Sequence, residues 1–146
     1  VPVDRRRITV EEIRGRILIG RYHLDGHDRG ILSVIAALRD AGVEVIYMLF
    51  SHPEEIIHAA IEEDPDVVGL SSSLGQHEMF VSMLVEGLAE KGLDLPVILG
   101  GIIPTADVPK MMAKGVKQVF GPGSTPASAV NLVKALVSQR YSHMTD

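Results

Sequence analysis

The stretch RILIGRYHLDGHDRGILSVIAAL, residues 16–38, contains two apolar segments of different periodicity joined by a polar loop. Its first five residues, RILIG, form a short apolar run that is typical of a buried parallel strand. The apolar residues near its end recur at i, i+3, i+4 and i+7, the spacing of one helix face: Ile31, Val34, Ile35 and Leu38. The stretch therefore predicts a strand, a loop over residues 21–30 and a helix, in that order.

The same alternation of short apolar runs and helical patterns continues along the chain. Four more runs predict strands: VEVIYMLF (43–50), DVVGLS (66–71), LPVIL (95–99) and VKQVF (116–120). Strands that alternate with helices predict an α/β protein with a parallel sheet covered by helices on both faces. A single chain of this length with five such units favours a flavodoxin-like (Rossmann-like) sheet with the strand order 2-1-3-4-5.

Composition excludes several functional classes. The chain has 146 residues, a net charge of -5 and a pI of about 5.6, so a nucleic-acid partner is not expected. It has no cysteine, which excludes disulfides and thiolate chemistry and suits a cytoplasmic location. No apolar run approaches the roughly 18 residues that a membrane span needs, so no membrane partner is expected.

The termini are expected to flank one domain. The segment TVEE (9–12) has the pattern of a capping box and predicts a short helix in an N-terminal arm, residues 1–15. Residues 16–141 would form the domain and residues 142–146 a C-terminal tail.

The loops after the predicted strands carry the informative residues, because ligands in open α/β sheets bind beyond the carboxyl ends of the strands. Three of these loops are rich in glycine and serine: SSSLGQH (71–77), GGIIP (100–104) and GPGSTP (121–126). Small residues there leave room for a large ligand to approach the backbone.

The loop after the first strand contains Asp25 and His27, two residues apart. Asp25 can accept a hydrogen bond from one ring nitrogen of His27 and aim the other outward, which is how proteins present an imidazole to a metal. The alternative is a solvent-facing loop histidine beside Asp28, which can cap the next helix. A zinc site formed by His23 and His27 has too few ligands close in sequence to be favoured.

Other proteins of this fold class fit less well. A phosphoacceptor domain needs an aspartate where Ser71 to Ser73 stand, and a flavin site needs aromatic residues, which make up 4% of the chain. A dinucleotide site needs G-x-G-x-x-G after the first strand, and the segment does not supply it.

Three motifs instead resemble those of cobalamin-binding domains. DGHDRG (25–30) resembles the D-x-H-x-x-G signature, SSL (72–74) the S-x-L motif and GG (100–101) the glycine pair of that family. Their order and spacing agree with the family from about Arg16 to Val137. The resemblance is to the cobalamin-binding region or small subunit of adenosylcobalamin-dependent acyl-CoA mutases of the methylmalonyl-CoA mutase type.

This resemblance implies the roles of the loop residues. His27 would be the lower axial ligand of cobalt, in place of the cofactor's own dimethylbenzimidazole base, and Asp25 would orient it; both would serve catalysis. The displaced nucleotide tail would enter a slot between sheet and helices, where Ser72 would bond the base. The other residues of the cofactor site would be Arg21, Gly26, Asp28, Arg29, Gly30, Leu74, Gly100, Gly101, Gly121, Gly123, Ser124 and Thr125.

Two histidines and one arginine are less simply interpreted. The family commonly has a lysine four residues before the aspartate, in the histidine–aspartate network, and this chain has Arg21. Arginine keeps the charge but is planar and does not readily give up its proton. His23 is expected to be a packing or solvent residue. His77 is expected at a helix start, with contact to the corrin edge as the alternative.

The resemblance also implies a reaction and a partner. With adenosylcobalamin, the chain would serve radical carbon-skeleton isomerisation of an acyl-CoA, and it would be inactive without a large (β/α)8-barrel subunit. That subunit would dock around His23, His27 and the GQH turn (75–77). The main alternative is a corrinoid methyl-carrier protein, which would usually have a helical cap before the first strand; a third is a cobalamin-based sensor module.

Overall fold

The computed structural model describes residues 14–145 of the chain, so the helix predicted over residues 9–12 lies outside the described residues. The strands are β1 (Arg16–Tyr22), β2 (Glu44–Phe50), β3 (Val67–Ser72), β4 (Val97–Gly101) and β5 (Val116–Phe120). The helices are α1 (Arg29–Asp40), α2 (Glu54–Glu63), α3 (His77–Glu90), α4 (Val108–Lys114) and α5 (Pro126–Thr145), with a 3₁₀ turn at Thr105–Asp107.

The five strands form one parallel sheet in the order β2-β1-β3-β4-β5, which confirms the predicted fold class. Alternate residues of each strand face opposite sides, so the sheet has two buried faces. Ile17 and Ile19 pack under α1 and α5, while Leu18 and Phe50 pack with α2, α3 and α4. Burial of such side chains contributes about 1.5–3 kcal/mol each, which explains the near-continuous apolar runs in the sequence.

Three strands extend further toward their carboxyl ends than the sequence predicts. β1 continues to Tyr22 because its last residues pair with the end of β2. Ser71 and Ser72 end β3 and Gly100 and Gly101 end β4, where Ser71 pairs with Gly100 and Ser72 with Gly101. These serines and glycines are therefore strand residues and not loop residues, because each still has a pairing partner.

Two helix ends add detail to the sequence prediction. Asp28 precedes α1, but the prediction that its side chain caps the helix is wrong: no side-chain cap hydrogen bond forms, and its φ of -107° and ψ of -15° are already near-helical. A capping residue normally has an extended backbone that turns its side chain onto the first amides. α5 continues past Tyr141 to Thr145. No helix within residues 14–145 combines the length and apolar character needed to cross a bilayer.

Candidate functional site

A cleft opens at the carboxyl edge of the sheet, on the face covered by α1 and α5. Its volume is about 560 Å³. Four segments line it: residues 26–31 after β1, Ser71 and Ser73 at the end of β3, residues 100–102 at the end of β4, and residues 120–125 after β5. The parallel topology brings these segments together, because all the strands end at the same edge.

Four glycines keep this cleft open. A Cβ added at Gly26, Gly30 or Gly121 would meet nothing within 4 Å, and one added at Gly100 would lie no closer than 3.7 Å to the Phe120 carbonyl oxygen. None of the four has a positive φ, so the backbone itself does not require glycine there. A side chain at these positions would instead fill the cleft.

Gly101 is a glycine for a different reason. Its φ is +128°, and a Cβ there would lie 2.0 Å from the carbonyl oxygen of Ser72. The second glycine of the pair is thus needed by the backbone, while the first leaves space in the cleft.

The cleft continues toward the core through a second, smaller cavity of about 50 Å³. The two cavities share five lining residues: Ile31, Val34, Gly100, Phe120 and Ala129. The inner cavity is apolar, with Ile19 on the sheet and helix side chains above it. The continuous space between the sheet and α1 and α5 therefore suits an elongated ligand whose inner end is apolar.

Asp25 and His27 form the hydrogen-bonded pair that their spacing predicts. Asp25 is 1% exposed, and its Oδ1 accepts from His27 Nδ1 and from the His27 main-chain amide, each at 3.0 Å. Its Oδ2 accepts from the Ser73 amide at 2.8 Å. Because a carboxylate oxygen only accepts, this hydrogen bond favours the proton on Nδ1, and in the neutral imidazole it leaves the lone pair on Nε2.

His27 presents this second nitrogen outward. Its side chain is 55% exposed, and Nε2 has no hydrogen-bond partner among residues 14–145. The imidazole lies beside the cleft, whose lining includes His27. This arrangement makes His27 an available nitrogen ligand with a fixed tautomer.

Arg21 lies next to this pair but does not bond to the Asp25 carboxylate. Its Nε donates to the Tyr47 hydroxyl at 2.6 Å, and its Nη1 donates to the main-chain carbonyl oxygen of Asp25. Arg21 therefore holds the backbone of the loop. Tyr47, its other partner, was not selected by the sequence analysis.

The serines are arranged differently from the sequence prediction. Ser71 and Ser73 line the cleft, whereas Ser72 and Leu74 are absent from its lining. Ser72 is buried, and Leu74 is exposed on the next loop. Strand alternation explains the difference, because positions 71 and 73 share one face and position 72 has the other. To select the correct serines, one must know where β3 ends and which side each serine faces. Both depend on the pairing of β3 with β4.

The remaining predicted site residues fall into two groups: those that line the cleft and those that lie behind its surface. The structure brings these into the lining of the cleft: Gly26, His27, Asp28, Arg29, Gly30, Gly100, Gly101, Gly121, Gly123, Ser124 and Thr125. Arg21 and Asp25 lie behind that surface and support it through the hydrogen bonds described above. The sequence missed several apolar lining residues: Ile31, Val34, Ile102, Phe120, Pro122 and Ala129.

His77 lies at the start of α3, as expected, and is almost fully buried. Its Nε2 donates to Asp107 Oδ2 at 2.8 Å, and its Nδ1 is buried without a partner in the described chain. The hydrogen bond from His77 lowers the pKa of Asp107, and nearby Lys110 acts in the same direction. This bond ties the start of α3 to the turn before α4, on the face of the sheet opposite the cleft.

The loops around His27 expose large apolar side chains. Leu24, Leu74 and Ile102 come from the loops after β1, β3 and β4, and each is about half or more exposed.

Among residues 14–145, no three histidine, aspartate or glutamate side chains are grouped to hold a metal ion. His23 is exposed and its ring lies against that of Tyr22, with centroids 4.9 Å apart.

Comparison with known families adds a match over most of the chain. Residues 15–131 match the family described as the B12 binding domain. The 2-hydroxyisobutanoyl-CoA mutase small subunit of Aquincola tertiaricarbonis is 39% identical over 127 residues, which cover 86% of this chain and 93% of that protein. The pivalyl-CoA mutase small subunit of Xanthobacter autotrophicus is 41% identical over 133 residues, 90% of this chain and 89% of that one.

A longer relative and a solved structure show the same likeness. The methylmalonyl-CoA mutase of Escherichia coli is 40% identical over 130 residues, but this chain spans only 18% of its length. The crystal structure of a cobalamin-binding protein from Desulfitobacterium hafniense superposes with a TM-score of 0.70 at 25% identity, covering 88% of this chain and 59% of that one.

Proposed function

Because this chain belongs to the B12-binding domain family, we propose that it is the cobalamin-carrying small subunit of an acyl-CoA mutase. Its two small-subunit relatives are matched over nearly their whole length, at about 40% identity. The observation that carries the proposal is an exposed imidazole, fixed by a buried carboxylate, at the mouth of an elongated cleft. The mutase relatives favour this function over the corrinoid carrier that the sequence left open.

The residues present fit a cobalamin. His27 offers Nε2 to cobalt, and its Nδ1 proton is held by Asp25. Four glycines leave a cradle that any side chain would fill, and the cleft deepens into apolar space. Such a cleft suits an elongated group whose polar part lies near the mouth of the cleft and whose flat aromatic base lies at the inner end. The nucleotide tail of the cofactor is a group of this kind.

The cleft is lined by few charged side chains and by several hydroxyl groups. Arg29 is the one lysine or arginine among the lining residues, and Asp28 beside it is the one carboxylate. Ser71 and Ser73 supply hydroxyls on the sheet side, and Ser124 and Thr125 supply them in the loop before α5. We assign Ser71 and Ser73, together with the glycines, to the nucleotide tail, and Ser72 to support of the β3–β4 pairing.

The chain's own contribution to the reaction is binding and orientation. Adenosylcobalamin, when bound, supplies a cobalt–carbon bond whose cleavage generates the radical that starts the rearrangement. Asp25 keeps the His27 proton on Nδ1, so the imidazole meets cobalt as a neutral nitrogen ligand. The Ser73 amide and Arg21 hold Asp25 in place while it does so.

A large partner subunit completes the site. The cleft is assigned to the cofactor, so we assign the acyl-CoA site to another protein or domain. Leu24, Leu74 and Ile102 surround His27 with exposed apolar surface. We assign this surface to contact with the corrin on the side that His27 would occupy, and its outer edge to contact with a barrel-type large subunit.

Reconstitution tests the proposal. The chain is mixed with adenosylcobalamin and with large subunits of acyl-CoA mutases, and isomerisation is assayed with 2-hydroxyisobutanoyl-, pivalyl-, isobutyryl- and methylmalonyl-CoA. Turnover is expected only when chain, cofactor and one matching large subunit are all present, because each protein encloses half of the cofactor. Omission of each component is the control. Failure of the chain to bind cobalamin, or methyl transfer in place of isomerisation, would contradict the proposal.

A further inference from the structure

Tyr47 lies outside the cleft but is connected to the His27 loop through Arg21. Tyr47 pairs with Ile19 on the neighbouring strand, and Arg21 is two residues beyond Ile19 on the same face of the sheet. Arg21 and Tyr47 are therefore diagonal neighbours, within reach of each other for long side chains. The hydrogen bond from Arg21 Nε to the Tyr47 hydroxyl, at 2.6 Å, follows from this register.

The other end of the guanidinium holds the loop. Arg21 Nη1 donates to the carbonyl oxygen of Asp25, in the peptide group that joins Asp25 to Gly26. Gly26 has no atom within 4 Å of the position that a Cβ would take, so side-chain packing does not restrain this peptide. The Arg21 hydrogen bond does restrain it, one residue before His27.

His27 depends on such restraints more than a core residue would. Its side chain is more than half exposed, so hydrogen bonds and not packing set the direction of the imidazole. One oxygen of Asp25 accepts from the His27 ring and from the His27 amide, and Arg21 holds the backbone that carries Asp25.

The rigid, planar guanidinium of Arg21 couples its bond to Tyr47 with its bond to the loop. Its donors project in fixed directions from one plane, so a bond from Nε to Tyr47 also sets where Nη1 points. We infer that Tyr47 is a positioning residue for the axial ligand, acting through Arg21 and Asp25 on His27. This inference rests on the proposed role of His27, and Tyr47 itself does not touch the cofactor.

The test variant is Tyr47→Phe, which removes only the hydroxyl. Its affinity for cob(II)alamin in the histidine-ligated form is expected to fall about tenfold, the lower end of the effect usual for partners that orient a metal ligand. The electron paramagnetic resonance spectrum shows whether the axial ligand is a nitrogen, and ¹⁵N-labelled protein distinguishes histidine from the cofactor's own base by the changed splitting. Tyr22→Phe is the matched control, since it removes the same atom on the opposite face of the sheet and is expected to change nothing.

A double-mutant cycle separates positioning from general support. In an Arg21→Lys background, Tyr47→Phe is expected to cause no further loss, because its effect runs through the guanidinium fork. Additive losses would overturn the inference. So would a loss of affinity in Tyr47→Phe that matches a loss of folded protein, as measured by thermal unfolding of the free chain.

A measurement without cobalamin keeps this test separate from that of the proposed function. Nitrogen NMR shifts of the His27 ring in the free chain report which nitrogen carries the proton. Wild type is expected to hold it on Nδ1, and Tyr47→Phe to give a mixture of the two tautomers. An unchanged tautomer in the variant would overturn the positioning role, whereas a wild-type chain that does not bind cobalamin would count against the proposed function alone.

Discussion

At the scale of single residues, the buried carboxylate of Asp25 organises the site. It accepts three N–H groups, from the His27 ring, the His27 amide and the Ser73 amide. Hydrogen bonds to a charged group contribute about 1.5–3 kcal/mol each when buried, so this carboxylate fixes the loop after β1 against the end of β3. The sequence predicted the bond between Asp25 and His27 because the two are only two residues apart. It missed the Ser73 bond, which joins residues far apart in the chain.

Gly100 allows a residue-scale test of the cleft. Gly100→Val is expected to leave the fold intact, because a Cβ there is clear of neighbours and φ is not positive. The added side chain would project into the cleft and lower cobalamin affinity by more than about tenfold, because overpacking of a bound ligand costs at least 1–3 kcal/mol. Calorimetric titration measures the affinity, and cobinamide, which lacks the nucleotide tail, is the matched ligand and should bind equally to both proteins.

Two results would contradict that reading of Gly100. Equal affinity of wild type and Gly100→Val for cobalamin would show that the tail lies elsewhere. An equal loss for cobalamin and cobinamide would show that the glycine serves the corrin ring and not the tail.

At the scale of elements, the ends of β3 and β4 decide which side chains face the cleft. Ser71 pairs with Gly100 and Ser72 with Gly101, so a shift of one residue would exchange the serines that face the cleft. The prediction selected Ser72 because SSL (72–74) was matched to the S-x-L motif. A sequence shows a run of serines but not where pairing stops or which serine faces the cleft. The bond between His77 and Asp107 joins the next two elements, α3 and the turn before α4.

The bond between His77 and Asp107 predicts a pH dependence of stability. The pKa of Asp107 is lowered from its ordinary 3.8, chiefly by the hydrogen bond from His77. A carboxyl whose pKa is lower in the folded state stabilises the fold above its unfolded pKa, and this contribution is lost as pH falls through the folded pKa. Asp107→Asn is therefore expected to unfold more easily at neutral pH, and to lose less additional stability than wild type on acidification below about pH 4.

Urea unfolding of both proteins at several pH values measures this difference. Glu86→Gln is the control, because Glu86 is an exposed carboxyl in the middle of α3. If Asp107→Asn and wild type lose stability in parallel on acidification, Asp107 does not carry the predicted contribution.

At the scale of the whole molecule, the fold explains why distant residues form one site. Five parallel strands end at one edge, so the loops after β1, β3, β4 and β5 converge on a single cleft. The five apolar runs made the strands predictable, because buried parallel strands need continuous apolar sequence. The order followed from five strand–helix units in one domain, which favour a flavodoxin-like sheet. Val34 and Ala129 were not predictable as lining residues, since the sequence shows them only as part of apolar helix faces and packing brings them to the cleft.

The central claim is that His27 is the lower ligand of cobalt in this chain. The most direct test is the spectrum of cobalamin bound to wild type and to His27→Ala, with circular dichroism as the check on folding. Wild type is expected to show nitrogen ligation by the protein with the cofactor's own base displaced. His27→Ala is expected to lose that signature and remain folded, because the His27 side chain is largely exposed. An identical ligand spectrum in the two proteins would contradict the account.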